Sequence, residues 1–146
     1  MLLKVVRNMA KNKISLEFKA FEEYAEKLDK LGGDLNAVTE KALQNSHDFI
    51  MPKLHRDMSK HRRSGETEKS IVDDAKVEWE GTTASIRIGF KISDGGLPSI
   101  FLMYGTPRMQ KDQQLYDDIY GKRTKKQIAE LQEKTFARAI KKIMGG

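Results

Sequence analysis

Ala75–Phe90, AKVEWEGTTASIRIGF, is the stretch whose reading decides the fold. Ala75, Val77 and Trp79 alternate with Lys76, Glu78 and Glu80. After Gly81, the residues Ala84, Ile86, Ile88 and Phe90 alternate with Ser85, Arg87 and Gly89. A period of two on both sides of a short polar turn predicts a β-hairpin with one apolar face, and Trp79 belongs to that face. A lone hairpin is marginal, so this one requires a third strand or a helix against its apolar side.

Both are available upstream. Ile14, Leu16 and Phe18 alternate with polar residues and predict a short, half-buried strand. Phe21, Tyr24, Leu28 and Leu31 recur at helical spacing, and Gly32-Gly33 ends that helix. Asp34 is placed to cap a second helix, in which Leu35, Val38, Ala42, Phe49 and Ile50 lie broadly on one face. Pro52 is expected to kink or break it, because its ring clashes with the preceding turn. Leu54 and Met58 predict that the helix resumes beyond the kink.

Downstream lies Leu97–Met109, LPSIFLMYGTPRM. Its apolar run Ile100–Tyr104 is expected to be buried, and it stops at Gly105-Thr106-Pro107. A polar stretch with little hydrophobic period follows, read as a long loop at about residues 105–123. Loops of that length are usually functional or disordered in isolation, so Tyr104, Gly105, Thr106, Pro107 and Arg108 are read as the hinge of an assembly arm. Thr124 and Gln127 match a T-x-x-Q capping box. Ile128, Leu131, Ala139 and Ile143 then form a helical stripe, with Phe136 and Ile140 beside it. The expected fold is α+β: a small antiparallel sheet, made of the N-terminal strand plus the central hairpin, packed against long helices, with a long loop before a C-terminal helix. Residues 1–13 read as a basic N-terminal extension open to disorder, and residues 14–146 as one domain.

The chain has 146 residues and no cysteine, which removes disulfides and thiolate metal sites. MLLKVVRNM is a poor signal peptide, since Lys4 and Arg7 interrupt its apolar residues. No apolar run approaches the roughly 20 residues that cross a bilayer, so no membrane role is expected. The net charge of +6 is uneven. Residues 107–146 carry ten Lys or Arg against five acids, residues 1–13 carry four bases and no acid, and the middle of the chain is net acidic. Such asymmetry fits contact with nucleic acid or an acidic partner, and it equally fits simple solubility.

Few residues invite catalysis. His47, His55 and His61 show neither i,i+4 pairing nor an H-E-x-x-H arrangement, and they read as surface or partly buried side chains. Asp73-Asp74 would point to opposite faces if extended, and Asp117-Asp118 falls in the expected loop, where solvation or turn formation is ordinary. No nucleophile elbow, P-loop or dinucleotide fingerprint occurs, so neither an enzyme nor a cofactor is expected. Lys60-His61-Arg62-Arg63, with Lys53 and Arg56 nearby, is a compact basic run. Lys60, Arg62 and Arg63 read either as DNA-facing or partner-binding residues, or as a solvated helix end favoured by the dipole. Aromatic residues to stack on bases are missing from it.

Two short segments carry a resemblance. Ser64-Gly65 with Ser70-Ile71 precedes the hairpin, and Tyr104-Gly105-Thr106 precedes the expected loop and final helix. In this order the segments resemble the tail-completion, or head–tail joining, proteins of long-tailed double-stranded-DNA bacteriophages and prophages, over roughly Ile14 to Ile143. Ser64 stands where that family commonly has threonine, and Met103 where it often has an acid or aromatic. The resemblance implies a structural virion protein that forms a ring, usually of six copies, at the head-proximal end of the tail. Its implied partners are other copies of itself, the tail tube or tail terminator protein and the head connector, with non-specific contact to passing DNA. The implied location is the virion, and the host bacterial cytoplasm during assembly. The alternative is a small basic DNA-binding protein acting through Lys53 to Arg63 and the C-terminal helix.

Overall fold

The computed structural model of the chain describes residues 3–6, 13–17, 22–61, 65–81, 83–91, 95–96 and 98–145. Strands β1 (Leu3–Val6), β2 (Lys13–Glu17), β3 (Glu78–Glu80) and β4 (Thr83–Arg87) form one antiparallel sheet in the order β1-β2-β4-β3. The helices are α1 (Glu22–Lys30), α2 (Leu35–Ser59), α3 (Glu66–Lys69), α4 (Pro98–Tyr104), α5 (Gln113–Tyr120) and α6 (Lys122–Met144). The α+β expectation therefore holds: a small antiparallel sheet packs against long helices.

The expected hairpin forms, and β2 joins it as the third strand, with Ile14 opposite Ile86. Ile14, Ala84 and Ile86 are buried on the face that packs against α2. Two details differ from expectation. Residues 3–6 are not a detached extension: they pair with β2 from Leu3↔Leu16 to Val6↔Lys13. The free edge of β2 is a row of unpaired backbone groups, and β1 satisfies it. In addition, β3 spans only Glu78–Glu80, and Trp79 remains 39% exposed. It shares the inner face with Ala84, its register partner, but β3 is the edge strand. There the ring overhangs α2, and its Nε1–H donates to Glu40 Oε1 at 2.7 Å.

Asp34 caps α2 as expected, accepting from the Ala37 N–H at 3.1 Å. The helix then runs 25 residues straight through Pro52, which neither ends it nor divides it into two helices. Pro52 is exposed, whereas Ile50, Met51, Leu54 and Met58 around it are buried. Packing on both sides of the proline outweighs one lost backbone hydrogen bond.

Helix α6 lies along α2 with Ile128, Phe136 and Ile140 buried. Its buried line passes through Gln132 and Thr135 rather than through Leu131 and Ala139, which are half-buried. The rotation lets Gln132 Nε2 donate to Ser46 Oγ at 3.1 Å inside the α2–α6 seam. The expected capping box does not form, because α6 begins three residues earlier, at Lys122, with Gly121 as its N-cap. Thr124 Oγ1 instead donates to the Asp117 carbonyl at 2.8 Å, and Gln127 accepts from Lys53 Nζ at 3.4 Å. A Cβ on Gly121 would sit 2.6 Å from the Asp117 carbonyl oxygen, so the α5–α6 corner requires glycine there.

Burial separates Phe136 from Trp79. Phe136 is fully buried, and Phe136→Ala is expected to cost about 3–5 kcal/mol in urea unfolding. Trp79→Ala, at the sheet edge, is expected to cost about 1–2 kcal/mol, the range for partial burial plus one hydrogen bond. An equal cost for both would place Trp79 in the core.

Candidate functional site

The segment from Phe101 to Asp112 is a closed turn rather than a free arm. Gly105 sits at φ +76°, a left-handed conformation that glycine adopts without strain, and its N–H donates to the Phe101 carbonyl at 2.8 Å. Thr106 and Met109 then exchange backbone hydrogen bonds of 2.8 and 3.1 Å across Pro107 and Arg108. The Asp112 N–H returns to the Leu102 carbonyl at 2.6 Å. One Asp112 carboxylate oxygen caps α5 through the Leu115 N–H at 3.1 Å, and the other lies 2.7 Å from His61 Nε2 at the end of α2. Partial burial pushes the Asp112 carboxyl up. The His61 and Leu115 hydrogen bonds, with the charges of His61 and Lys60, outweigh that and hold its pKa below the usual carboxylate value.

This corrects two expectations. The loop at about 105–123 is interrupted by α5, whose Leu115 and Ile119 are buried one helical turn apart. A helix this short shows only one such repeat, which its polar residues mask. The run Ile100–Tyr104 is also not buried throughout. It is a surface helix with Met103 buried, Phe101 46% exposed and Tyr104 39% exposed. Helical spacing puts those last two outward when Met103 faces in. Met109 is exposed as well, beside the exposed Arg108 and Lys111. Tyr104 packs edge-on against Tyr116 at 5.8 Å, and Lys111 lies over the Tyr116 ring at 4.5 Å. The turn is thus a fixed knob carrying apolar and basic side chains.

A groove of about 510 Å³ opens where α2, α5 and the start of α6 meet. Lys53, Arg56, Lys122 and Arg123 line it, together with Asp117 and Asp118. Behind Asp118 lies a carboxylate that sequence reading set aside: Asp57 is fully buried, and neither of its oxygens accepts a hydrogen bond among the described residues, Arg56 Nε lying 3.9 Å from Oδ1. Burial, followed by the Asp118 hydrogen bond and charge, pushes Asp57 up to about 7 against the opposing charges of Arg56 and Lys60. Asp118, expected in a solvated loop, is itself buried, with Gln114 Nε2 at 2.9 Å and Arg56 at 3.5 Å. The signal for Asp57 was present in its position, three residues after Leu54 and seven after Ile50 on the apolar face of α2.

The remaining candidates separate. Lys60 is exposed at the C-cap of α2, whereas Arg62, Arg63 and Ser64 lie outside the described residues. His47, read as a surface or partly buried side chain, is fully buried, with Nε2 at 2.7 Å from the Val72 carbonyl. His55 pairs with Asp73 at 2.8 Å. Among the described residues no three His, Asp or Glu side chains gather to hold a metal, and no helix is long and apolar enough to cross a membrane.

Comparison with protein-family models, curated proteins and solved structures found no match for the chain.

Asp57 predicts an unusual pH dependence. Its folded pKa is raised above the unfolded value, so the folded state binds the extra proton between about pH 4 and pH 7. The associated stability is complete below about pH 4 and is lost as pH rises through about 7. Asp57→Asn should remove this slope and exceed the parent by about 1–3 kcal/mol at pH 8 in urea unfolding. A parent that gains stability from pH 5 to pH 8 relative to the variant would contradict the assignment.

Proposed function

We propose that this chain is a structural subunit of a phage or prophage virion, forming a ring at the head-proximal end of the tail and joining it to the head connector. The observation that carries the reading is the α4–α5 knob. Phe101, Tyr104 and Met109 expose apolar surface on a turn already closed by its own hydrogen bonds. Ordering such a turn costs little on association, because its conformation exists before a partner arrives. Large exposed apolar residues grouped on one element mark interaction surfaces more often than single scattered ones do.

Other features support the same reading. Two of the resembling segments fall on described residues: Ser70 is buried and its carbonyl accepts from the Lys91 N–H at 2.7 Å, while Gly105-Thr106 form the turn itself. The chain's acidic middle and basic C-terminal part suit a ring in which each subunit presents one surface to a different surface of the next. The partners in this proposal are further copies of the chain, the tail tube or tail terminator protein, and the head connector. A second reading, a small basic DNA-binding protein, is favoured by one observation, the cations lining the groove beside α6.

Sedimentation velocity across a range of concentrations, with electron microscopy of the same samples, tests the first reading. Rings are expected either alone or after addition of purified tails or connectors. Phe101→Glu combined with Tyr104→Ala should weaken assembly at least tenfold while leaving the circular dichroism spectrum unchanged. A chain that stays monomeric and joins neither tails nor connectors overturns the proposal.

A further inference from the structure

We infer that the groove between α2 and the first turn of α6 binds the phosphate backbone of duplex DNA. The inference rests on the second reading above and is independent of the ring.

Four cations from two helices distant in sequence line this groove: Lys53 and Arg56 from α2, Lys122 and Arg123 from α6. Lys60 extends the α2 row, since positions 53, 56 and 60 follow one helical face. Two carboxylates also line the groove, and both are engaged. Asp117 accepts from Gln113 at 2.8 Å, and Asp118 accepts from Gln114 at 2.9 Å and faces Arg56. Lys122 and Arg123, in contrast, are exposed and form no hydrogen bond or ion pair among the described residues.

Their position is the second part of the argument. A helix N-terminus carries partial positive charge and favours acids in its first turn. Helix α6 has none there and no side-chain cap; it begins Lys-Arg-Thr-Lys-Lys. At its other end Lys141 and Lys142 sit where the dipole favours them. Among the described residues, Lys122 and Arg123 at the positive pole violate a local rule with no ion pair of their own, and such violations concentrate at functional sites. An anion in the groove supplies the compensation, meeting the cations and the unsatisfied N–H groups of the first turn together.

The lining selects among anions. No aromatic or apolar side chain faces the groove, so it holds no platform for an unstacked base. The cations come from two helices, and Lys53, Arg56 and Lys60 follow one face of α2, a spacing that suits repeated phosphates of a duplex and makes the contact independent of sequence.

The test uses the full chain and a fluorescent DNA duplex of about 20 base pairs, titrated from 50 to 200 mM salt. With four phosphates neutralised, affinity should fall about 100-fold over that range. Lys122→Gln with Arg123→Gln should weaken binding at least tenfold at low salt and reduce the salt slope by about two. Lys141→Gln with Lys142→Gln removes the same charge from the far end of α6 and should leave binding within about twofold. No duplex binding at 50 mM salt overturns the inference, as does equal loss from both double variants, which would mean attraction by net charge alone. Competition by inorganic phosphate at concentrations that leave ionic strength unchanged would also overturn it, by showing a single-phosphate pocket. Ring assembly is probed at Phe101 and Tyr104, on another helix, so failure of either idea is recognisable on its own.

Discussion

Burial of α2 is the constraint on which the rest of this structure depends. The sheet covers one of its sides, α6 another, and α5 packs near its C-terminal end. Ala42, Leu43, Ile50, Met51, Leu54 and Met58 are all buried along it. A strictly amphipathic helix offers one apolar stripe, but α2 is enclosed on several sides, so Thr39, Ser46, His47 and Asp57 are buried with its aliphatic residues. Each must find a partner. Thr39 and Ser46 donate to carbonyls one turn back, His47 reaches Val72, and Ser46 also receives Gln132. These bonds set the register of α6 and of the Val72 segment against α2, which apolar packing alone leaves looser.

Asp57 is the member of this group without a donor. The penalty for burying it is offset by retaining a proton, and the raised pKa states that offset in another form. The groove that opens beside Asp118 gathers cations at the same corner. Positive charge on Arg56 and Lys60 lowers the penalty without removing it. The corner of α2, α5 and α6 thus holds a buried carboxylate that accepts no hydrogen bond among the described residues, while the α4–α5 knob is bonded through its backbone and exposed in its side chains. The proposed roles follow that division: a charged ligand for the corner, a protein surface for the knob.

Much of the architecture was legible because period and capping act locally. The alternation of Ala84, Ile86 and Ile88, the Asp34 cap and the apolar spacing in α6 each report on a few neighbouring residues. Where reading failed, a local rule met a tertiary one. Pro52 was expected to kink or break α2, and the break does not occur because buried neighbours on both sides hold the helix together. Thr124 and Gln127 have the spacing of a capping box, yet the close approach of α5 at Gly121 moves the helix start to Lys122. Helix α5 was missed because Leu115 and Ile119 give one repeat within a polar stretch.

The sequence by itself determined the class of the fold, the hairpin and its third strand, the end of α1, the cap of α2, and the uneven distribution of charge. These depend on backbone propensity and side-chain period, which operate within a turn or a strand pair. Only the tertiary structure decided that Asp57 meets Asp118, that Lys53 and Arg56 share a groove with Lys122 and Arg123, and that Tyr104–Arg108 closes into a knob. Those relations join residues far apart in the chain, and their physics is a matter of distance and burial. A linear reading contains neither until the helices have packed.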